Sequence, residues 1–171
     1  MLDLRGFRGG VDQIDRIFAP EDFKLDKEDF RVTAPVEFKA QVTKDAQKVR
    51  LTGRVRTTLE TTCGRCLEAF SIPVDAPFDL MFMPASDEPE TREKEVAADD
   101  VGVSFYQDDA IDLAEVMREQ FFLALPMKPL CTPDCQGLCP VCGTNRNREA
   151  CDCRSDWVDP RFAVLKKLLD T

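Results

Sequence analysis

Hydrophobic and polar side chains alternate through three stretches of the chain. Val36, Phe38, Ala40 and Val42 hold even positions. Val49, Leu51, Val55 and Leu59 hold odd ones, with Lys48, Arg50, Arg54 and Arg56 between them. Phe70, Ile72, Val74, Ala76, Phe78, Leu80 and Phe82 carry the same rhythm further. A period of two belongs to a strand with one buried face, so three strands are predicted. Pro73 and Pro77 fall on the outward face of the third and cannot donate to a ladder, which predicts an edge or a broken strand there. Before residue 33 the pattern is too weak to assign an element.

The rhythm then changes. Leu113, Val116, Met117, Gln120, Phe121 and Ala124 recur at helical spacing. Asp109 or Asp112 can cap that helix, and Pro126 ends it. Near the C-terminus, Asp159 is a natural N-cap and Pro160 a natural first helical residue. Phe162, Leu165, Leu168 and Leu169 then form a stripe suited to packing against a core. The expected architecture is α+β: a mainly antiparallel sheet with a central helix, and a C-terminal cysteine-rich, zinc-ribbon-like segment closed by a short helix. We expect a core domain over residues 1–130 and a metal-binding segment with its helix over 131–171. No internal repeat is visible.

Charge refines this picture. The 171 residues carry a formal net charge of −9. Residues 71–130 alone hold fourteen acidic against four basic side chains, densest at 86–100, where Pro, Ala and charge without periodicity predict an exposed loop. Such a balance opposes a chain-wide grip on nucleic acid. One local exception is the strand face bearing Lys48, Arg50, Arg54 and Arg56, followed at the next turn by Arg65. Cations spaced along a strand can meet successive phosphates, although a solvated sheet face explains the same pattern. No apolar run approaches the about 20 residues of a membrane helix, and the charged N-terminus lacks the apolar stretch of a signal peptide. A cytoplasmic protein is expected.

The chain has no histidine, which excludes histidine-dependent catalysis and any Cys2His2 finger. It has eight cysteines: Cys63, Cys66, Cys131, Cys135, Cys139, Cys142, Cys151 and Cys153. In a reducing compartment such clustering points to metal and not to disulfides. The sharpest motif is Cys139-Pro-Val-Cys142-Gly143. Two thiolates two residues apart face one ion when the chain turns tightly, and Gly143 supplies the permissive dihedrals just after the second ligand. Zinc asks for four tetrahedral ligands. Cys151 and Cys153 are the favoured second pair; Cys131 and Cys135 are alternatives, and six thiolates can also bridge two ions. From residue 131 to 155 the large apolar side chains are Leu138 and Val141 alone, too few to offset the entropy of ordering the segment without an ion. Four-thiolate iron would fit the same geometry. A closed site leaves no open position for water, so a structural zinc ion is expected and no catalysis at it.

Cys63 and Cys66 lie between two strand patterns, hence at a hairpin turn. They can be half of a second metal site, a thiol–disulfide pair, or simply two small thiols in a turn.

Taken together, the Cys63-Gly-Arg-Cys66 turn, the run from Ile111 to Cys131 (IDLAEVMREQFFLALPMKPLC), GLCPVCGTN at 137–145, CDC at 151–153 and DPRFAVLKKLL at 159–169 resemble the YceD family, the large ribosomal RNA subunit accumulation proteins. The resemblance spans about residues 33–169. It implies a bacterial cytoplasmic protein that supports 23S ribosomal RNA accumulation in large-subunit biogenesis, with no known enzymatic activity and no small-molecule substrate. Family members share the early cysteine pair more widely than the late ones, so the metal reading rests on this chain's own spacing. The implied partners are ribosomal RNA or a large-subunit precursor, and a basic ribosomal protein for the acidic middle. Two rivals of other classes remain: a thiol–disulfide oxidoreductase using Cys63 and Cys66, and a zinc-ribbon adaptor that binds only protein.

Overall fold

The computed structural model describes residues 1–7, 10–23, 30–85 and 103–153. The acidic stretch expected at 86–100 and the helix expected after Asp159 lie outside the described residues.

Three long strands form an antiparallel meander: β4 (Val36–Asp45), β5 (Lys48–Thr62) and β6 (Ala69–Pro84). Their inward positions are those of the sequence alternation, and Phe38, Val42, Val49, Leu51, Val55 and Leu59 are fully buried. Pro73 and Pro77 face Thr58 and Arg54 of β5, and no described strand pairs with the other side of β6 along residues 69–80. The prolines therefore sit on a continuous strand whose free edge needs no donor.

The weakly patterned N-terminal region is also extended. β2 (Gly10–Phe18) adds to the far edge of β4 with Ile14 as its buried residue. β3 (Phe30–Val32) pairs with β5 beyond the start of β4. β1 (Leu2–Asp3) pairs with the two-residue β8 (Ala110–Ile111), which buries Leu2 and Ile111. One pairing is parallel: β7 (Val103–Tyr106) runs beside the end of β6.

The helix α1 (Leu113–Ala124) is capped by Asp112, whose side chain accepts from the Ala114 N–H at 2.9 Å. Asp109 takes the other role, a left-handed turn (φ 53°) whose carbonyl accepts from the Leu4 N–H. The helix ends because Pro126 holds Leu125 extended. Its buried face, Leu113, Val116, Met117 and Phe121, joins the inner face of the sheet in one core. Phe121 meets Phe23 and Phe30 edge-on, with centroids 5.6 and 6.2 Å apart. A second, smaller buried cluster sits at the β5–β6 turn and is made of Cys63, Cys66 and Cys135, with Phe70, Leu130, Cys131 and Leu138 packed around it.

Candidate metal centres

The β5–β6 turn is a knuckle. The Cys63 N–H donates to the Glu68 carbonyl at 2.9 Å, and the Leu67 N–H returns to the Cys63 carbonyl at 3.0 Å, with Leu67 left-handed at φ 59°. The Cys63 and Cys66 side chains, three residues apart, thus point the same way, and the backbone N–H groups of the turn face Cys63. The segment after α1 is held to this knuckle by Gly64 N–H donating to the Pro129 carbonyl at 2.8 Å. That contact delivers Cys131 and Cys135. Sγ of Cys63 lies 3.7 Å from Sγ of Cys135, and Sγ of Cys66 lies 3.7 Å from Sγ of Cys131. A zinc tetrahedron with arms of about 2.3 Å has edges of about 3.8 Å.

The second knuckle repeats the first. The Cys139 N–H donates to the Thr144 carbonyl at 2.8 Å, and the Gly143 N–H returns to the Cys139 carbonyl at 2.9 Å, with Gly143 at φ 76°. One antiparallel bridge, Leu138 to Asn145, closes the loop. Cys151 and Cys153 come up against it. In each tetrad, Cys63–Cys66–Cys131–Cys135 and Cys139–Cys142–Cys151–Cys153, the four sulfurs lie within 4.8 Å of one another. All eight cysteines are free thiols and all are used. Two clusters of four cysteines can each hold a metal ion.

Electrostatics in both tetrads favour a cation. The Cys66 N–H, with those of Arg65 and Cys131, lowers the Cys63 thiol to about 6 against the cost of burial. The Cys142 and Val141 N–H groups lower Cys139 to about 6 in the same way. At Cys66 the Glu68 N–H works downward, but burial and the neighbouring thiols prevail and push it up to about 12. Cys153 is pushed up to about 12 by the adjoining Cys142 and by burial. One thiol of each set ionises readily while another resists, so full ionisation of four needs a positive ion at the centre.

Residues that spacing did not single out complete both sites. Asn147 Nδ2 donates to Cys135 Sγ at 3.3 Å, and Arg146 Nη2 donates to Cys139 Sγ at 3.7 Å. Only folding reveals these, because sequence signals for sulfur donors are no different from those of ordinary loop residues. The first tetrad is the more enclosed: Cys63, Cys66 and Cys135 are buried, whereas Cys142 is exposed.

The basic strip is accompanied by acids. On the outer sheet face Arg50 pairs with Asp79, and Arg54 and Arg56 share Asp75 at 2.8 and 3.2 Å. The Arg56 and Arg54 guanidiniums hold Asp75 below the usual carboxylate range. Lys48 lies exposed at the start of the same strand. Arg65 is elsewhere, in the first knuckle, where its Nη1 donates to the Cys135 carbonyl at 2.8 Å.

Residues 51–169 match the model of a family described as "Large ribosomal RNA subunit accumulation protein YceD". The chain belongs to the YceD family. An uncharacterized protein of Mycobacterium tuberculosis is 35% identical over 125 residues, covering 72% of this chain and 57% of its own. The Arabidopsis thaliana "Large ribosomal RNA subunit accumulation protein YCED homolog 1, chloroplastic" is 28% identical over 170 residues, covering 84% of this chain and 51% of its own. The uncharacterized protein YlbN of Bacillus subtilis is 26% identical over 149 residues, covering 82% and 78%. The chain thus spans between half and three fifths of the length of the first two relatives. No solved structure matches it. Among the described residues, no helix is long and apolar enough to cross a membrane.

Proposed function

We propose that this protein is a non-catalytic factor in biogenesis of the large ribosomal subunit, acting in the cytoplasm to support 23S ribosomal RNA accumulation. Membership of the YceD family carries this reading, since relatives bear that description. Each tetrad would hold one structural zinc ion, four thiolates closing the coordination sphere and leaving no place for a reacting water. The sulfur spacing of 3.7 Å at the first tetrad supports a four-thiolate metal ion there. Purified protein with two colourless ions per chain would bear this out, while a coloured preparation would indicate iron.

The RNA contact proposed at Lys48, Arg50, Arg54, Arg56 and Arg65 becomes an exchange in this light. Phosphates would replace Asp75 and Asp79 as partners of the strand arginines, giving a local, salt-sensitive contact on an acidic protein. The acidic middle would face a basic ribosomal protein. Depletion in cells tests the role: mature large subunits and 23S RNA should fall, and an unchanged ribosome profile would overturn it. The oxidoreductase reading is disfavoured by a specific observation. Cys63 and Cys66 lie buried next to the thiols of Cys131 and Cys135, not at a helix N-terminus.

A further inference from the structure

The short segment between the tetrads is hydrogen-bonded on both sides. Gly137, left-handed at φ 70°, lies against Arg65 of the first knuckle, 3.0 Å from its carbonyl oxygen to the position a Cβ would take. The next residue, Leu138, donates its N–H to that same Arg65 carbonyl at 3.1 Å, and Cys139 of the second tetrad follows directly. The Arg146 N–H closes back onto the Gly137 carbonyl at 2.9 Å.

One dipeptide then reaches both sets of sulfurs. Arg146 donates to Cys139 of the second tetrad, and Asn147 to Cys135 of the first. The Asn147 amide is fixed in that pose. Its Oδ1 accepts from the Gln136 N–H at 2.7 Å, and its Nδ2 also donates to Asn145 Oδ1 at 2.9 Å. Asn145 is the residue bridged to Leu138 in the second knuckle. Ordering either knuckle therefore pre-places donors and backbone for the other.

We propose that the two tetrads form one coupled binuclear unit, in which an ion at Cys63–Cys66–Cys131–Cys135 and an ion at Cys139–Cys142–Cys151–Cys153 strengthen each other's binding through the Arg65 contact and the Arg146–Asn147 dipeptide. This rests on the proposal that both tetrads hold metal. The ordering entropy of the shared segment is met once, by whichever ion binds first, so the second ion binds a site already assembled. Coupling of this kind is reciprocal: each ion raises the other's affinity by the same factor. Asn147 acts as a positioning residue and not as a ligand.

The test uses the full reduced chain, stripped of metal and titrated with Zn2+ against a chromophoric chelator, and with Co2+ to read the visible bands of tetrahedral cobalt thiolate. Cys63→Ser with Cys66→Ser isolates the second site; Cys151→Ser with Cys153→Ser isolates the first. The product of the two wild-type binding constants should exceed the product of the two isolated constants by on the order of tenfold or more. Asn147→Asp keeps the acceptor but replaces the donor by a carboxylate facing sulfur. It should still bind two Co2+ with tetrahedral bands, while the excess factor falls toward one. Equal products in the wild type would show independent sites and overturn the coupling while leaving two bound ions intact. Binding of fewer than two ions by the wild type would overturn the two-metal reading itself, and the coupling with it.

Discussion

Leu67 and Gly143 occupy the same station in two knuckles built alike. Each donates its N–H to the carbonyl of the first cysteine of its pair, and each is left-handed, at φ 59° and 76°. Glycine tolerates that conformation and leucine does not, at a cost of roughly 1–2 kcal/mol. No atom lies within 4 Å of a Cβ placed on Gly143, so the penalty of a substitution there is conformational alone. Gly143→Ala should weaken zinc retention at Cys139–Cys142–Cys151–Cys153 several-fold. Leu67→Gly should leave retention at the other tetrad unchanged or improved. Chelator competition measures both, and a loss on Leu67→Gly would show that the exposed leucine is held there by contacts that outweigh its backbone cost.

The strand arginines yield a second expectation. Arg50 reaches Asp79 with two nitrogens, Nε to Oδ1 at 2.8 Å and Nη2 to Oδ2, while Arg54 and Arg56 lean on Asp75. If phosphates displace those carboxylates, Asp75→Asn with Asp79→Asn should tighten binding to ribosomal RNA several-fold at low salt. Arg50→Ala with Arg54→Ala and Arg56→Ala should flatten the dependence of log affinity on log salt. An unchanged slope in the arginine variant would remove the strip as the contact.

Legibility in the sequence followed burial. β4 and β5 bury most of an alternate row and β6 buries Val74, Phe78 and Phe82 with partly buried residues between them, so the rhythm is plain from Val36 to Phe82. β2 is an edge strand burying Ile14 alone, so its GVDQIDRIF carries too weak a pattern to assign an element. β7 joins by a parallel pairing after the long acidic stretch, a long-range choice that local pattern does not encode. Of two aspartates able to cap α1, the chain's need for a left-handed turn at Asp109 left Asp112 to do it. Among the cysteines, a C-x2-C pair announces a tight turn, because that geometry is local. Which other pair it meets depends on the Gly64–Pro129 contact that brings Cys131 and Cys135 to the β5–β6 turn, and spacing carries no record of it. The sulfur donors Arg146 and Asn147 were invisible for the same reason.

Phe121 shows where the fold's stability is concentrated. It is fully buried and touches Phe23 and Phe30, tying α1 to the segments that carry them. Phe121→Ala should cost about 3–5 kcal/mol, read as a lower denaturant midpoint at unchanged slope. Metal content should persist under native conditions, because the cysteine cluster is separate from this core.

Removing metal should do the reverse. The buried cluster at the first knuckle is small and mostly sulfur, so without an ion little holds residues 131–153 in place. Chelation of the reduced protein should speed amide exchange across 131–153 and at Cys63–Leu67, while β4, β5 and β6 keep their protection. Slow exchange of 131–153 in metal-free, reduced protein would mean that the segment orders itself.

Acid should release the ions, and the direction follows from the thiols. Cys63 and Cys139 fall to about 6 from an ordinary value of 9. A depressed thiol contributes its stabilisation fully above the unfolded value and loses it as pH falls through the folded one. Both thiolates are thus available to a metal at pH 7, and bound zinc, which competes with protons for the same sulfurs, moves release lower still. Zinc freed into a chromophoric chelator, followed downward from pH 8, should stay near zero at pH 7 and rise steeply below about 6. The rise should be steep because several protons replace each ion. Half-release above pH 7 would show that the raised thiols Cys66 and Cys153, and not the lowered pair, govern retention of the ions.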